Sequence, residues 1–201
     1  MSNSNAALDN LDKKFLDKEI LEKRRAKLKE AYGNLESGIY LQGDIITFER
    51  RGFLDLFSVM LPTSFILLPE ELKKGKYKSR FAPIIALTSE DLSVNLGFNV
   101  FSDHTPRKPI TEMADVIKET LKSNQSTFDF KDITPLKDVD GCYFQFFQET
   151  LDSVVFHVMA FVRISDQIVH ATFNCLSDQD IETWQTTIVQ MLETIKKDEK
   201  V

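Results

Sequence analysis

The sequence predicts an α+β fold, a mostly antiparallel β-sheet flanked by helices, with an N-terminal helical extension. Three observations predict it. Val154 to Cys175 alternates apolar and polar residues with the period of two that a strand pair requires, interrupted at Ser165–Gln167. Two other stretches, 109–124 and 177–197, instead repeat their apolar residues at helical spacing. The chain has 201 residues, enough for one well-packed domain and an appendage. The boundary falls near residue 34: residues 1–34 read as a charged helix or arm, residues 35–201 as a single domain.

The first helix, ALDNLDKKFLDKEILEKRRAKLKEAYG, is expected to end near Gly33 with that glycine in a left-handed position. Its apolar residues define a narrow face, supported by Asp9–Lys13 and Glu19–Lys23 pairs at four-residue spacing. Strands follow in IYLQGDIITFER and, after a break at Arg51-Gly52, in FLDLFSVMLP, whose two apolar sides imply cover on both faces. PEELKKGKYKSR reads as a short helix and a basic loop. APIIALT and LSVNLGFNVF form a hairpin around Ser89-Glu90-Asp91, with Leu92, Val94, Leu96, Phe98 and Val100 on one side of the second strand. Behind Pro109, the residues Ile110, Met113, Ala114, Ile117 and Leu121 mark an amphipathic helix. A loop, FDFKDITPLKDVDG, leads to the strand CYFQFFQET and the alternating pair. The last helix has Ser177 or Asp178 as its cap and Ile181, Trp184, Ile188, Met191, Leu192 and Ile195 on its buried side.

Hydrophobic burial selects a register for the alternating pair: Val158 opposite Cys175, Ala160 opposite Phe173 and Val162 opposite Ala171. With a three-residue turn at Thr150–Asp152, Cys142, Phe144 and Phe146 join this core face. The two cysteines then lie two strands apart, about 9.5 Å, too far for a disulfide. The second face collects Tyr143, Phe147, His157, Met159, Phe161, Arg163 and His170. Either a helix, the N-terminal one being a candidate, packs there with the polar groups at its margin, or the face is an amphipathic platform for a protein or peptide. These seven are the candidate partner-binding residues.

Composition excludes several functions. Residues 1–34 hold eight basic and six acidic groups, so from 25 Lys+Arg and 31 Asp+Glu in the whole chain the remainder keeps 17 and 25, a net −8. Nucleic acid is not an expected partner for so acidic a body. Neither G-x-G-x-x-G nor a phosphate loop occurs, and H-E-x-x-H and C-x-x-C are absent. His157 and His170 share no metal-ligand spacing, and a Cys–His nucleophile would be divided by the sheet. No catalytic residue, metal or cofactor is expected. No stretch reaches the roughly 18 apolar residues of a membrane-spanning helix, and a cytoplasmic location is expected. The basic run KKGKYKSR, Lys73 to Arg80, reads as a solvated loop.

The strings MLPTSF and KYKSRFAPIIALTSEDLSVNLGFNV, a helix, a three-stranded meander ending HATFNC and a last helix with Trp184 resemble the Mog/PsbP-like fold and, within it, the DcrB-related proteins. The resemblance spans roughly residues 45–197. It implies an antiparallel sheet between helices, an α/β/α sandwich. Members include a Ran-binding protein, a photosystem subunit, bacterial envelope proteins and chaperones of secreted effectors, so it implies binding rather than catalysis. The charged N-terminal helix departs from the pattern, as does the lack of a lipoprotein signal. The resulting expectation is a non-catalytic module that engages a protein or peptide, chaperone- or adaptor-like. The alternative is a small-ligand carrier or enzyme with a pocket between sheet and helix. Self-association through the N-terminal helix is a third expectation.

Overall fold

A computed structural model describes residues 18–198 apart from 42, 78–81, 105–107, 125–127 and 177–179. Helix α1 covers residues 18–31 and leads into the short strands β1 (Gly33–Asn34), β2 (Gly38–Leu41) and β3 (Asp44–Ile46). Then come β4 (Phe48–Phe53), β5 (Phe57–Pro62), β6 (Ile66–Leu67), α2 (Glu70–Lys76), β7 (Ile85–Thr88), β8 (Val94–Ser102) and α3 (Ile110–Asn124). The chain finishes with β9 (Phe128–Phe130), β10 (Thr134–Pro135), β11 (Gly141–Glu149), β12 (Val154–Ile164), β13 (Gln167–Leu176), α4 (Ile181–Glu193) and β14 (Lys196–Lys197).

The main sheet runs β10-β11-β12-β13-β8-β7-β6, all antiparallel, with β9 also on β11. Its inner face packs Phe156, Val158, Ala160, Val162, Val169, Ala171 and Phe173 against Trp184, Ile188, Met191 and Leu192 of α4 and against Phe57, Val59 and Leu61 of β5. Its outer face forms a second core in which Cys142, Phe144, Phe146, Phe161 and Ile168 meet Ile110 and Ala114 of α3. The fold is the predicted antiparallel sheet between helices. Both predicted amphipathic helices form, although α4 is capped by Asp180, whose carboxylate accepts the Thr183 N–H at 3.1 Å. The expected cap residues Ser177 and Asp178 lie outside the described residues, as do the apolar positions and the Asp9–Lys13 pair of residues 1–17. The Glu19–Lys23 pair is present at 2.7 Å.

Local geometry corrects several expectations. Gly33 is not left-handed; the positive φ values belong to Gly38 and Gly43, and Gly33 already pairs with Ile39 in β1–β2. The break near residue 52 moves forward, because β4 continues to Phe53 and the chain reverses at Leu54 (φ 57°) and Asp55 (φ 53°), with the Leu56 N–H donating to the Phe53 carbonyl at 3.0 Å. Two consecutive left-handed residues make the mirror-image turn whose twist suits a hairpin. Leucine is a poor occupant, since its Cβ crowds the following carbonyl there. Replacing the exposed Leu54 with asparagine is therefore expected to stabilise the protein by about 1 kcal/mol, raising Tm by about 2–4 °C. A lower Tm for Leu54→Asn would refute this account of the turn.

Register carries the larger corrections. Strands β12 and β13 meet at Ile164↔Gln167, so Val158 faces Phe173, Ala160 faces Ala171 and Val162 faces Val169. The predicted pairing is off by two residues, which leaves every side chain on its predicted face. Strand β11 is off by one, which does not. The turn before β12 holds four residues, Thr150 to Ser153, closed by Thr150 N–H to Ser153 O at 2.8 Å and the Thr150 hydroxyl to the same oxygen at 2.7 Å. Cys142 thus opposes Phe161, Phe144 opposes Met159 and Phe146 opposes His157. Cys142 lies in the outer core and Cys175 in the inner one, on opposite faces of the sheet rather than the same face.

Both thiols are buried. Burial pushes the Cys142 thiol up to about 12, helped by the negative charges of Asp115 and Asp140. The folded protein is expected to resist a disulfide-exchange reagent at pH 8, with both thiols reacting once guanidinium unfolds it. Fast labelling of the native protein would contradict the burial described here.

Candidate functional site

The seven residues singled out from the sequence do not share a face. Tyr143 and Phe147 point to the inner side, where Phe147 packs on Phe156 with ring centroids 5.3 Å apart. His157, Met159, Phe161, Arg163 and His170 remain on the outer side, and that side is covered. A helix does pack on it, but it is α3 rather than the N-terminal one. Phe161 is 0% exposed beneath it. Towards β13 and β8 the cover comes from Tyr77, whose hydroxyl bonds Asn174, and from Pro83, which lies so close that a Cβ on Gly97 would sit 2.6 Å from its Cγ.

Under this cover the two histidines act as flat, neutral packing groups. His157 stacks on Phe146 (centroids 4.6 Å, planes 5° apart) and His170 on Phe161 (4.9 Å, 8°). Their Nε2 atoms are shielded from solvent and have no hydrogen-bond partner. Burial pulls both rings down to about 4, and Lys76 adds to the effect on His157. Arg163 is a structural clamp. Its Nε reaches Asp103 at 2.6 Å, one terminal nitrogen reaches Asp140 at 2.6 Å and the other donates to the Lys108 carbonyl at 2.9 Å. The platform reading of the outer face is thereby replaced by a second core.

The inner face offers an open site where α4 leaves β11 uncovered. There Tyr143 and Gln145 of β11, with Thr134, Pro135 and Lys137 beside them, face Gln185, Thr186, Val189, Gln190 and Glu193 of α4 across a cleft of about 440 Å³. The Gln185 amide meets the Gln145 amide at 3.5 Å; at the mouth the Lys137 N–H donates to Glu193 at 3.3 Å, and Gln190 donates to the Gly33 carbonyl at 3.4 Å. Alternation on β11 places Tyr143, Gln145 and Phe147 in one row along the floor. On α4 the wall follows from Gln185, Val189 and Glu193, a four-residue repeat beside the buried stripe of Trp184, Ile188 and Leu192. That repeat was the signal available in the sequence. By itself the repeat does not mark a cleft, because the polar flank of an amphipathic helix ordinarily faces water.

The chemistry of this lining is that of recognition. Three primary amides, a phenol, two threonine hydroxyls and Lys137 line it together with the apolar Pro135 and Val189. The one carboxylate, Glu193, already accepts from the backbone, and no histidine or cysteine lines the cleft. Among the described residues no cluster of three His, Cys, Asp or Glu could hold a metal ion, and no helix is long and apolar enough to cross a membrane.

No family model and no curated protein sequence matches the chain. In shape it is similar to the solution structure of cyanobacterial PsbP from Synechocystis sp. PCC 6803, at 10% identity over 79% of this chain and 96% of that one, with a TM-score of 0.48. It is similar also to LpqN of Mycobacterium tuberculosis, described as involved in cell envelope biogenesis (13% identity, 78% and 87% covered, TM-score 0.45), and to PA94 of Pseudomonas aeruginosa (8%, 73% and 94%, 0.40). The protein has the α+β class read from its sequence.

Proposed function

We propose that the protein is a cytoplasmic, non-catalytic binding module, adaptor- or chaperone-like, that holds an extended segment of a partner protein in the cleft between β11 and α4. The observation that carries this reading is the row of Tyr143, Gln145, Gln185 and Gln190 around an open groove of about 440 Å³. Amide side chains both donate and accept, as a peptide backbone does, so a groove lined by them matches an extended chain without demanding a charge on it. Pro135 and Val189 offer apolar contact beside them. The groove also sits between sheet and helix, which favours a small neutral polar ligand as the second reading; a segment of protein is preferred because the cleft is open rather than enclosed.

The test is selection from a displayed random-peptide library, followed by affinity measurement on individual peptides. Binders to the wild type are expected to lose about tenfold or more in affinity towards a Gln145→Arg, Gln185→Arg variant, whose altered positions are half-exposed and tolerate the change. Peptides that bind both proteins equally, or no binders at all, would overturn the peptide reading. A thermal shift with a neutral small molecule that the variant lacks would establish the second one instead.

A further inference from the structure

Among the described residues helix α1 has almost nothing to rest on. Of its residues 18–31 all are exposed except Leu28, which is half-buried, and Ile20 and Leu21 stand 56% and 54% exposed. Its root is anchored by Lys29 to Asp180 at 3.6 Å, and the chain just beyond it by Tyr40 N–H to the Tyr32 carbonyl at 2.9 Å. A helix of this length is marginal in water by itself, and two surface pairs, Lys18–Glu22 at 3.9 Å and Glu19–Lys23 at 2.7 Å, add only about 0.2–0.5 kcal/mol each.

Its apolar residues are not scattered. At helical spacing, Ile20, Leu21, Leu28 and Ala31 fall within about 100° of arc, with Arg24 in the middle. The part of this stripe at Leu28 is half-covered where the helix joins its own body, and the rest continues into solvent. Among the described residues nothing covers that part, and charge indicates which surface of another molecule would. Residues 18–31 carry six basic groups (Lys18, Lys23, Arg24, Arg25, Lys27, Lys29) and three acidic ones (Glu19, Glu22, Glu30), a net +3, whereas residues 35–201 carry −8. Two copies of α1 laid side by side would set like charge against like. A copy of α1 against the acidic body of another chain sets opposite charges together, as Lys29 and Asp180 already do within one chain.

We propose that α1 docks its Ile20–Leu21 stripe on the acidic body of a second copy of this chain, which returns the same contact, closing a twofold dimer. Each helix then gains the cover it lacks, and the reciprocal arrangement ends at two chains rather than propagating. The cleft is not required for this contact, so the dimer stands or falls apart from the peptide reading.

Sedimentation or light scattering of the full chain tests it. The expected mass is twice the monomer's at low salt, with dissociation promoted by added salt as the charges are screened. Ile20→Asp with Leu21→Asp is expected to give a monomer with an unchanged near-ultraviolet spectrum, and Arg24→Glu with Lys27→Glu to weaken the dimer about tenfold or more. A wild type that is monomeric up to its solubility limit would overturn the proposal. So would a dimer that survives Ile20→Asp with Leu21→Asp, or a wild-type helix that instead carries the monomer onto anionic phospholipid vesicles.

Discussion

Replacing Arg163 with alanine is expected to cost about 3–5 kcal/mol of stability and to lower Tm by about 10 °C. The guanidinium side chain is 14% exposed, and the Asp103 side chain it meets is 1% exposed. Removing it takes a charge-assisted bond from a carboxylate that is almost wholly buried and empties the space its side chain fills, which costs more than the loss of a surface pair. The clamp also ties three separate segments together: the end of β8 through Asp103, the turn before β11 through Asp140, and the entry to α3 through the Lys108 carbonyl. Arg163→Lys keeps the charge but offers one nitrogen where three directions are needed, so it is expected to recover only part of the loss. Denaturant unfolding of the two variants decides the matter. An alanine variant within about 1 kcal/mol of wild type would show that the clamp contributes little.

Acid is expected to weaken the fold through His157 and His170 well before the carboxylates are neutralised. Each ring sits near 4 in the folded protein against the ordinary 6.5, so the unfolded chain binds the extra protons between those values. The direction follows from linkage: the neutral-ring contribution is intact above about pH 6.5 and is lost as pH falls towards 4, at up to about 1.4 kcal/mol per unit for each histidine. Across the window this amounts to about 3 kcal/mol per ring. The groups facing them agree in sign, since Lys76 beside His157 opposes a second positive charge, while His170 lies between the rings of Phe161 and Phe101. Urea denaturation at successive pH values should show this slope, and a His157→Phe, His170→Phe variant, which preserves both stacks, should flatten it. Equal slopes in the two proteins would remove the histidines from the account.

The outer face shows how far pattern reading carries and where it stops. Strand β12 was legible because only one face is uniformly apolar: Phe156, Val158, Ala160 and Val162 alternate with His157, Met159, Phe161 and Arg163, so a slip of one residue would have buried an arginine. Strand β11 was not, because Cys142, Phe144 and Phe146 compete with Tyr143 and Phe147 for the same core, and hydrophobicity is nearly indifferent between them. The decision fell to the Thr150–Ser153 turn, whose hydrogen bonds admit one more residue than a three-residue loop. The alternation places Phe161 away from the main core, as observed, but leaves open whether a helix covers it or it stands exposed, and α3 covers it. Whether a neighbouring helix lands on a face is not a property of that face.

The succession of β7, β8, α3, β11, β12, β13 and α4, the inner faces of β8, β12 and β13, and the buried stripes of α3 and α4 were determined by local pattern, because side-chain period and turn chemistry act over a few residues; the short strands β9 and β10 in the expected loop were not. Which side β11 presents, which helix closes the outer face, and the cleft left between β11 and α4 were decided by the tertiary structure alone. These depend on how segments far apart in the chain fill a shared volume, and close packing settles such competition only when all of them are in place.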